Sequence, residues 1–246
     1  MNVVLAGELP LADDLLKLCA DAGYDTTLYL VESLADAAIA QKLRADASTA
    51  EVVVECHNES KAGKRRVVEL LGGARMMFVS ALACSTTEAA SWTNRPARVA
   101  GWGALPSFQR DATVEIAAGL KTSADAMDQA ESFWNSLGVK PRRVADGPGL
   151  VRARIVCALV NEAASALADG IASPADIDTA MKLGMNYPRG PLEWGDQIGL
   201  DVVLGVMQGL YEEFGEDRYR PSPLLRRYVQ AGWLGRKAGR GFFEYP

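Results

Sequence analysis

The sequence predicts a parallel α/β domain over residues 1–145 followed by an all-α domain over residues 146–246. Two observations carry this. Up to residue 144, short apolar runs suited to buried strands alternate with helical stretches, the order that builds a parallel sheet joined by crossover helices. After Asp146 the strand signals stop, and apolar residues recur with helical spacing to the end of the chain.

Each element follows from local chemistry. Val3-Val4-Leu5-Ala6 is a buried-strand run, and residues 9–22 follow with Leu11, Leu15, Leu16, Leu18 and Cys19 at helical spacing before Gly23 stops them. Thr26–Leu30 is strand-like, 33–44 helical, and Glu51-Val-Val-Val-Glu55 the next strand. A helix near 60–71 ends at Gly72-Gly73. Met76–Val79, Arg98–Trp102 and the stretch around Val114-Glu115-Ile116 are further strands, 123–136 is a helix, and Val139–Val144 closes the series. In the second half, residues 148–169 repeat Val151, Ile155, Leu159, Ala163 and Leu167 at every fourth position, a long helix whose wide apolar face is either core or a dimer seam. Ser173 and Pro174 are a good N-cap and first helical residue, and 196–214 and 222–231 are two more helices.

Bulk properties narrow the partners. A net charge of −5 offers no basic field for nucleic acid. The start, Met1-Asn-Val-Val-Leu, is too short an apolar run for a signal peptide, and no run approaches the roughly 20 residues of a membrane-spanning helix. Cys19, Cys56, Cys84 and Cys157 form no CxxC pair and sit in apolar surroundings, as reduced buried thiols of a cytoplasmic protein do. No metal-ligand spacing is present.

The first strand–helix turn is where a Rossmann domain would hold a dinucleotide, with glycines for close backbone approach, a helix N-terminus toward the pyrophosphate, and an acid about 20 positions on for the ribose. Here it reads Ala6-Gly7-Glu8-Leu9-Pro10-Leu11, with one glycine and a carboxylate where phosphates would sit. Leu30 stands where the ribose-holding acid belongs, and Glu32 lies two residues later. Gly7 and Glu32 are the remaining cofactor-binding candidates. The expectation is no cofactor, or NAD if the chain is active.

The second half carries Asp146-Gly-Pro-Gly-Leu-Val-Arg, Asn161-Glu162, Ser173-Pro-x-Asp-Ile-Asp, Asn186-Tyr-Pro-Arg-Gly-Pro-Leu-Glu193, Asp196-x-Ile-Gly-Leu-Asp201, Arg218-Tyr-Arg-Pro-Ser-Pro-Leu-Leu225 and Gly235-Arg-Lys-x-Gly-Arg-Gly-Phe242. In this order the motifs resemble the C-terminal domain of the 3-hydroxyacyl-CoA dehydrogenases. The first half resembles a shortened Rossmann-like domain of the same family, through Glu55…Glu59…Lys64 and Thr87-Glu88…Arg95-Pro96-x-Arg98-Val99-x-Gly101. It looks like the reduced second Rossmann-like segment of fused 3-hydroxybutyryl/3-hydroxyadipyl-CoA dehydrogenases, because the 21 residues between Leu30 and Val52 leave no room for the family's CoA-clamping helical hairpin.

The resemblance implies NAD-linked oxidation of acyl-CoA in β-oxidation-type metabolism, and the chain departs from it where the chemistry is done. The family's catalytic His position is Gly103, while the Glu that orients it survives as Glu115. The catalytic Asn position is Ala153, and the family's Ser-Asn-Thr-Ser-Ser run is Val79-Ser80-Ala81-Leu82-Ala83. Ser80, Glu55, Lys64 and Pro188 are the substrate-cleft candidates that the resemblance implies. Catalytic candidates are Glu115 and the chain's one histidine, His57, at the carboxyl end of a strand. Arg226, Arg227, Arg236, Lys237 and Arg240 are either a solvated face or phosphate contacts to CoA. Three readings result: a catalytically degenerate binding or assembly subunit that holds an acyl-CoA or pairs as a homodimer or with a full-length dehydrogenase; an active NAD-dependent dehydrogenase using other residues; or an NAD-independent acyl-CoA enzyme.

Overall fold

In the computed structural model, which describes residues 1–245, strands and helices alternate up to Val144, and from Arg152 onward only helices follow. The first half contains β1 (Asn2–Gly7), α1 (Leu11–Asp21), β2 (Asp25–Leu30), α2 (Ala37–Thr49), β3 (Val52–Cys56), α3 (Lys61–Leu71), β4 (Met77–Ser80), α4 (Thr86–Ser91), β5 (Val99–Gly103), β6 (Thr113–Ala117), α5 (Ala124–Ser136) and β7 (Lys140–Val144). The second contains α6 (Arg152–Ala168), α7 (Pro174–Met185), α8 (Pro191–Ile198), α9 (Leu200–Phe214) and α10 (Pro223–Gln230).

The sheet order is β2-β1-β3-β4-β5-β6-β7. Alternation along each strand sends successive side chains to opposite faces. Val3, Leu5, Val52 and Val54 therefore meet α1 and α5 on one face, while Val4, Ala6 and Val53 meet α2 and α3 on the other. A third core, around Val160, Val203, Met207 and Leu210, fills the helical half. No helix among the described residues is long and apolar enough to cross a membrane.

Four expectations need correction. The sheet is not wholly parallel: β6 pairs antiparallel with β5, and β7 runs parallel to β6. The link from β5 to β6 holds no crossover helix, and without one the chain can only return in the opposite direction. The long helix starts at Arg152 rather than 148, because Gly149 (φ 75°) and Leu150 (φ 47°) are left-handed. The stretch 196–214 is two helices, broken at Gly199 (φ 101°), and the first begins at Pro191. The helix expected over 33–44 is a single 3₁₀ turn, Val31–Ala35, followed by α2, whose N-cap Asp36 accepts from the Ala38 amide at 2.7 Å.

The two halves dock through α9, where glycines stand one helical turn apart. A Cβ added to Gly205 would lie 2.0 Å from the Asn58 carbonyl oxygen, and one added to Gly209 would lie 2.1 Å from that of Ala83. Only hydrogen allows this approach. Lys61–Glu212 and Lys237–Glu59 ion pairs, at 2.8 and 2.9 Å, also cross the boundary.

Candidate functional site

The chain reverses its winding at β1, which lies between β2 and β3, and ligands of open α/β sheets bind outside the carboxyl ends of strands at such a point. A crevice of about 530 Å³ occupies it. Gly7 ends β1 and Glu8 follows it, Leu30 ends β2 and Glu32 lies in the 3₁₀ turn after it, His57 and Glu59 lie in the loop after β3, and Asp201 and Lys237 come from the helical half. Three of the sequence candidates, Gly7, Glu32 and His57, are thus brought to one place.

The first turn does not fit a pyrophosphate. A Cβ on Gly7 would lie 2.0 Å from Cys56 Sγ, so this glycine serves the close packing of β1 on β3. Asp13 and Asp14 occupy the first turn of α1, where their charge already answers the positive end of the helix dipole. Glu8 touches the ring Nδ1 of His57, and its other oxygen accepts from the Asn58 amide at 3.3 Å. A carboxylate held there faces any incoming phosphate with like charge.

Beneath the crevice is a closed polar cluster. Glu55 and Lys64 are fully buried and paired at 2.6 Å. The Glu55 carboxylate also accepts from the His57 amide at 2.6 Å and the Ser80 amide at 3.1 Å. The Lys64 ammonium donates to the His57 carbonyl at 2.8 Å, and Ser80 Oγ donates to Asn58 Oδ1 at 2.7 Å. Burial pushes the Glu55 carboxyl up and Lys64 opposes it. Glu55, Lys64 and Ser80 therefore do not line a substrate cleft. They are sealed beneath the loop 57–60 and hold its backbone, while Pro188 lies exposed in the turn between α7 and α8.

The family's catalytic positions are filled differently. Gly103 pairs with Glu115 across β5 and β6, so the expected neighbours are indeed adjacent. A Cβ at Gly103 would lie 2.8 Å from Leu150 Cδ1 and 3.0 Å from Leu82 Cδ2, so the two leucines press on the position of the missing imidazole. Ala153 is buried in the apolar cluster that includes Leu82 and Leu105. Glu115 accepts from the Val151 and Arg152 amides at 3.2 Å, capping the start of α6. That position satisfies helix donors that have no partner within the helix.

His57 is the basic group that remains. Burial, and then the Lys64 ammonium, push its pKa down to about 4, so the ring is neutral at pH 7. Its Nδ1 touches Glu8, and its Nε2 lies 3.3 Å from Ser60 Oγ. Sequence reasoning did not single out Ser60, which also caps the start of α3. The signal was a serine three residues after the single histidine, at a strand-to-helix turn.

Sequence reasoning also missed the pair that closes the crevice. Lys237 Nζ lies 2.5 Å from Asp201 and 2.9 Å from Glu59. Lys237 is thus held by two carboxylates, and Arg236 lies 3.6 Å from Glu193, so this part of the basic cluster is partnered within the chain. Burial pushes Asp201 up to about 6, against the pull of Lys237. A carboxyl whose folded pKa is raised contributes stability below its unfolded pKa and loses it as pH rises through the folded value. In urea unfolding, the stability of wild type relative to Asp201→Asn is expected to fall between pH 4 and pH 6 and then level off; parallel curves across that window would refute the assignment.

Asp196, expected near a helix start, is instead buried inside α8. It accepts from the Phe242 and Phe243 amides at 2.9 Å and from the Tyr245 hydroxyl at 3.0 Å, pinning the C-terminal glycine-rich motif.

Comparison with known proteins agrees with this architecture. The family profile "3-hydroxyacyl-CoA dehydrogenase, C-terminal domain" matches residues 149–245. A probable 3-hydroxybutyryl-CoA dehydrogenase of Bacillus subtilis (strain 168) is 38% identical over 204 residues, covering 81% of this chain and 71% of the relative. A 3-hydroxybutyryl-CoA dehydrogenase of Clostridioides difficile is 39% identical over 204 residues, with 81% and 73% covered. The crystal structure of (S)-3-hydroxybutyryl-CoA dehydrogenase from Ralstonia eutropha superposes with a TM-score of 0.78 at 31% identity, over 100% of this chain and 99% of that one. With its helical motifs, its sheet and its relatives in agreement, the chain belongs to the 3-hydroxyacyl-CoA dehydrogenase family.

Proposed function

We propose that this chain is a member of the family in which NAD-linked hydride transfer has been lost, and that it serves acyl-CoA metabolism as a binding or assembly subunit. The observation that carries this reading is the replacement of both ends of the reaction centre. Glu8 stands against His57 where the pyrophosphate would bind, and Leu82 and Leu150 press on the position of the missing base at Gly103. Loss of a general base alone costs about 10²–10⁴ in rate, and an acidic first turn adds the loss of the cofactor's grip. The partner is a second copy or a full-length dehydrogenase. Support comes from the start of α6, where Val151, the residue before the helix, and Ile155 in its first turn are roughly half exposed, at 47% and 56%. Isolated exposed apolar residues are common, but two on one helix face offer a seam.

The relatives' own names favour a second reading, an active dehydrogenase with non-standard residues that uses NAD. Calorimetric titration with NADH and, separately, acetoacetyl-CoA distinguishes the two. The proposal expects no NADH binding at micromolar concentrations. Micromolar NADH binding together with acetoacetyl-CoA-dependent loss of absorbance at 340 nm would overturn it.

A further inference from the structure

Glu8 and His57 are the residues that displace the expected phosphate site, and their contact extends to a third group. Glu8 touches Nδ1 of His57, and Nε2 of the same ring lies 3.3 Å from Ser60 Oγ. The order carboxylate, imidazole, hydroxyl is that of an activated serine, recognised by geometry and roles rather than by chain position. We propose that Ser60, His57 and Glu8 form a hydrolytic centre for short-chain acyl esters and thioesters, with Ser60 as nucleophile, His57 as base and Glu8 as the positioning residue.

Four features support the assignment. The Glu8 carboxylate is fixed from both sides, by His57 and by the Asn58 amide. The Ser60 oxygen accepts from the Gly63 amide at 3.1 Å, which leaves its own proton free to point at Nε2. Gly63 is needed for this: a Cβ there would lie 2.4 Å from Nε2 and 2.8 Å from Ser60 Oγ. Finally, Ser60 is exposed at a strand-to-helix turn, between β3 and the eleven-residue α3, while Glu8 and His57 line the crevice beside it.

The crevice selects the substrate. Leu9, Leu30, Val31 and Leu234 give it an apolar lining for a short acyl chain, and Glu32 opposes an acyl group with a terminal carboxylate, while Glu59 and Asp201 are engaged by Lys237. In the first step Ser60 Oγ adds to the acyl carbonyl carbon while its proton passes to Nε2. The bond from carbon to the alcohol oxygen or thiol sulfur breaks, and the leaving group takes that proton. Water then adds to the acyl-serine, giving its proton to Nε2. The carboxylic acid departs and Ser60 Oγ recovers the proton. The sum is ester or thioester plus water to acid plus alcohol or thiol, with no redox partner.

The test uses the whole chain with a fluorophosphonate probe, p-nitrophenyl butyrate and butyryl-CoA. The proposal expects one fluorophosphonate per chain, mapped to Ser60, and hydrolysis that Ser60→Asn lowers by about 10²-fold or more. Asparagine keeps the helix cap while removing the nucleophile, so folding is preserved. Glu8→Gln is expected to lower kcat more than KM and to change the pH profile, which a merely structural carboxylate would not do. Hydrolysis of the ester alone, or of the thioester alone, would assign the leaving group. An unlabelled Ser60, or equal hydrolysis by wild type and Ser60→Asn, would overturn the proposal. Neither result depends on NADH binding, so this centre and the loss of dehydrogenase activity stand or fall separately.

Discussion

Replacing Lys64 by methionine is expected to lower the free energy of unfolding by about 3–5 kcal/mol, because it strands the Glu55 carboxylate without a counter-charge in a fully buried site. The ammonium has two jobs. It neutralises Glu55 at 2.6 Å and donates to the His57 carbonyl at 2.8 Å, so its loss also frees the loop that carries His57 and Ser60. The double variant Lys64→Met/Glu55→Gln removes both charges and is expected to recover part of the loss, since a neutral amide is far less costly to bury than an unpaired carboxylate. Urea unfolding monitored by fluorescence reads the difference. If the single and double variants are equally unstable, the charge argument fails and shape alone is responsible.

The second large effect is expected at Gly205. Gly205→Ala places a Cβ 2.0 Å from the Asn58 carbonyl oxygen, which is backbone and cannot move aside as a flexible side chain would. Overpacking of this kind costs about 1–3 kcal/mol, and a backbone obstacle puts Gly205 at the upper end. The strain falls on Asn58, whose amide holds Glu8 and whose side chain holds Ser80. Faster hydrogen exchange over residues 57–64 should therefore accompany the loss of stability. Gly184, also in a helix, has nothing within 4 Å of an added Cβ. Gly184→Ala is the control, expected to be neutral or to stabilise by up to about 1 kcal/mol. Equal behaviour of the two variants would mean that the halves are not docked through the glycine face of α9.

These two tests bear on the functional reading as well as on stability. The buried Glu55–Lys64 pair and the α9 glycines set the position of loop 57–60, and that loop supplies His57, Glu59 and Ser60. A change in either support should therefore reach the crevice without touching a residue that lines it.

The sequence by itself determined the two-part architecture, the family, and the loss of the family's reacting groups. Strand and helix periodicity are local properties, so β1 through β4 and α6 were legible from residue spacing. A missing side chain is equally legible: the side chains of Gly103 and Ala153 offer neither a base nor a hydrogen-bond donor in any fold. Glu8 was visible as a charge in the wrong place for a phosphate.

The tertiary structure decided what replaced those groups. Glu8 and His57 are 49 positions apart, and only the parallel pairing of β1 with β3 brings them into contact. The same long-range folding seals Glu55, Lys64 and Ser80 away from solvent, although their spacing resembles that of a cleft. It places Leu150 over Gly103 through a left-handed turn that no periodicity announces, and it gives Glu115 the capping of α6. The reversal of β6 depended on a missing crossover helix rather than on the strand itself. Burial and contact between distant segments are properties of the folded chain. A sequence names the groups, and only their arrangement fixes which are paired, which are buried and which can still meet a ligand.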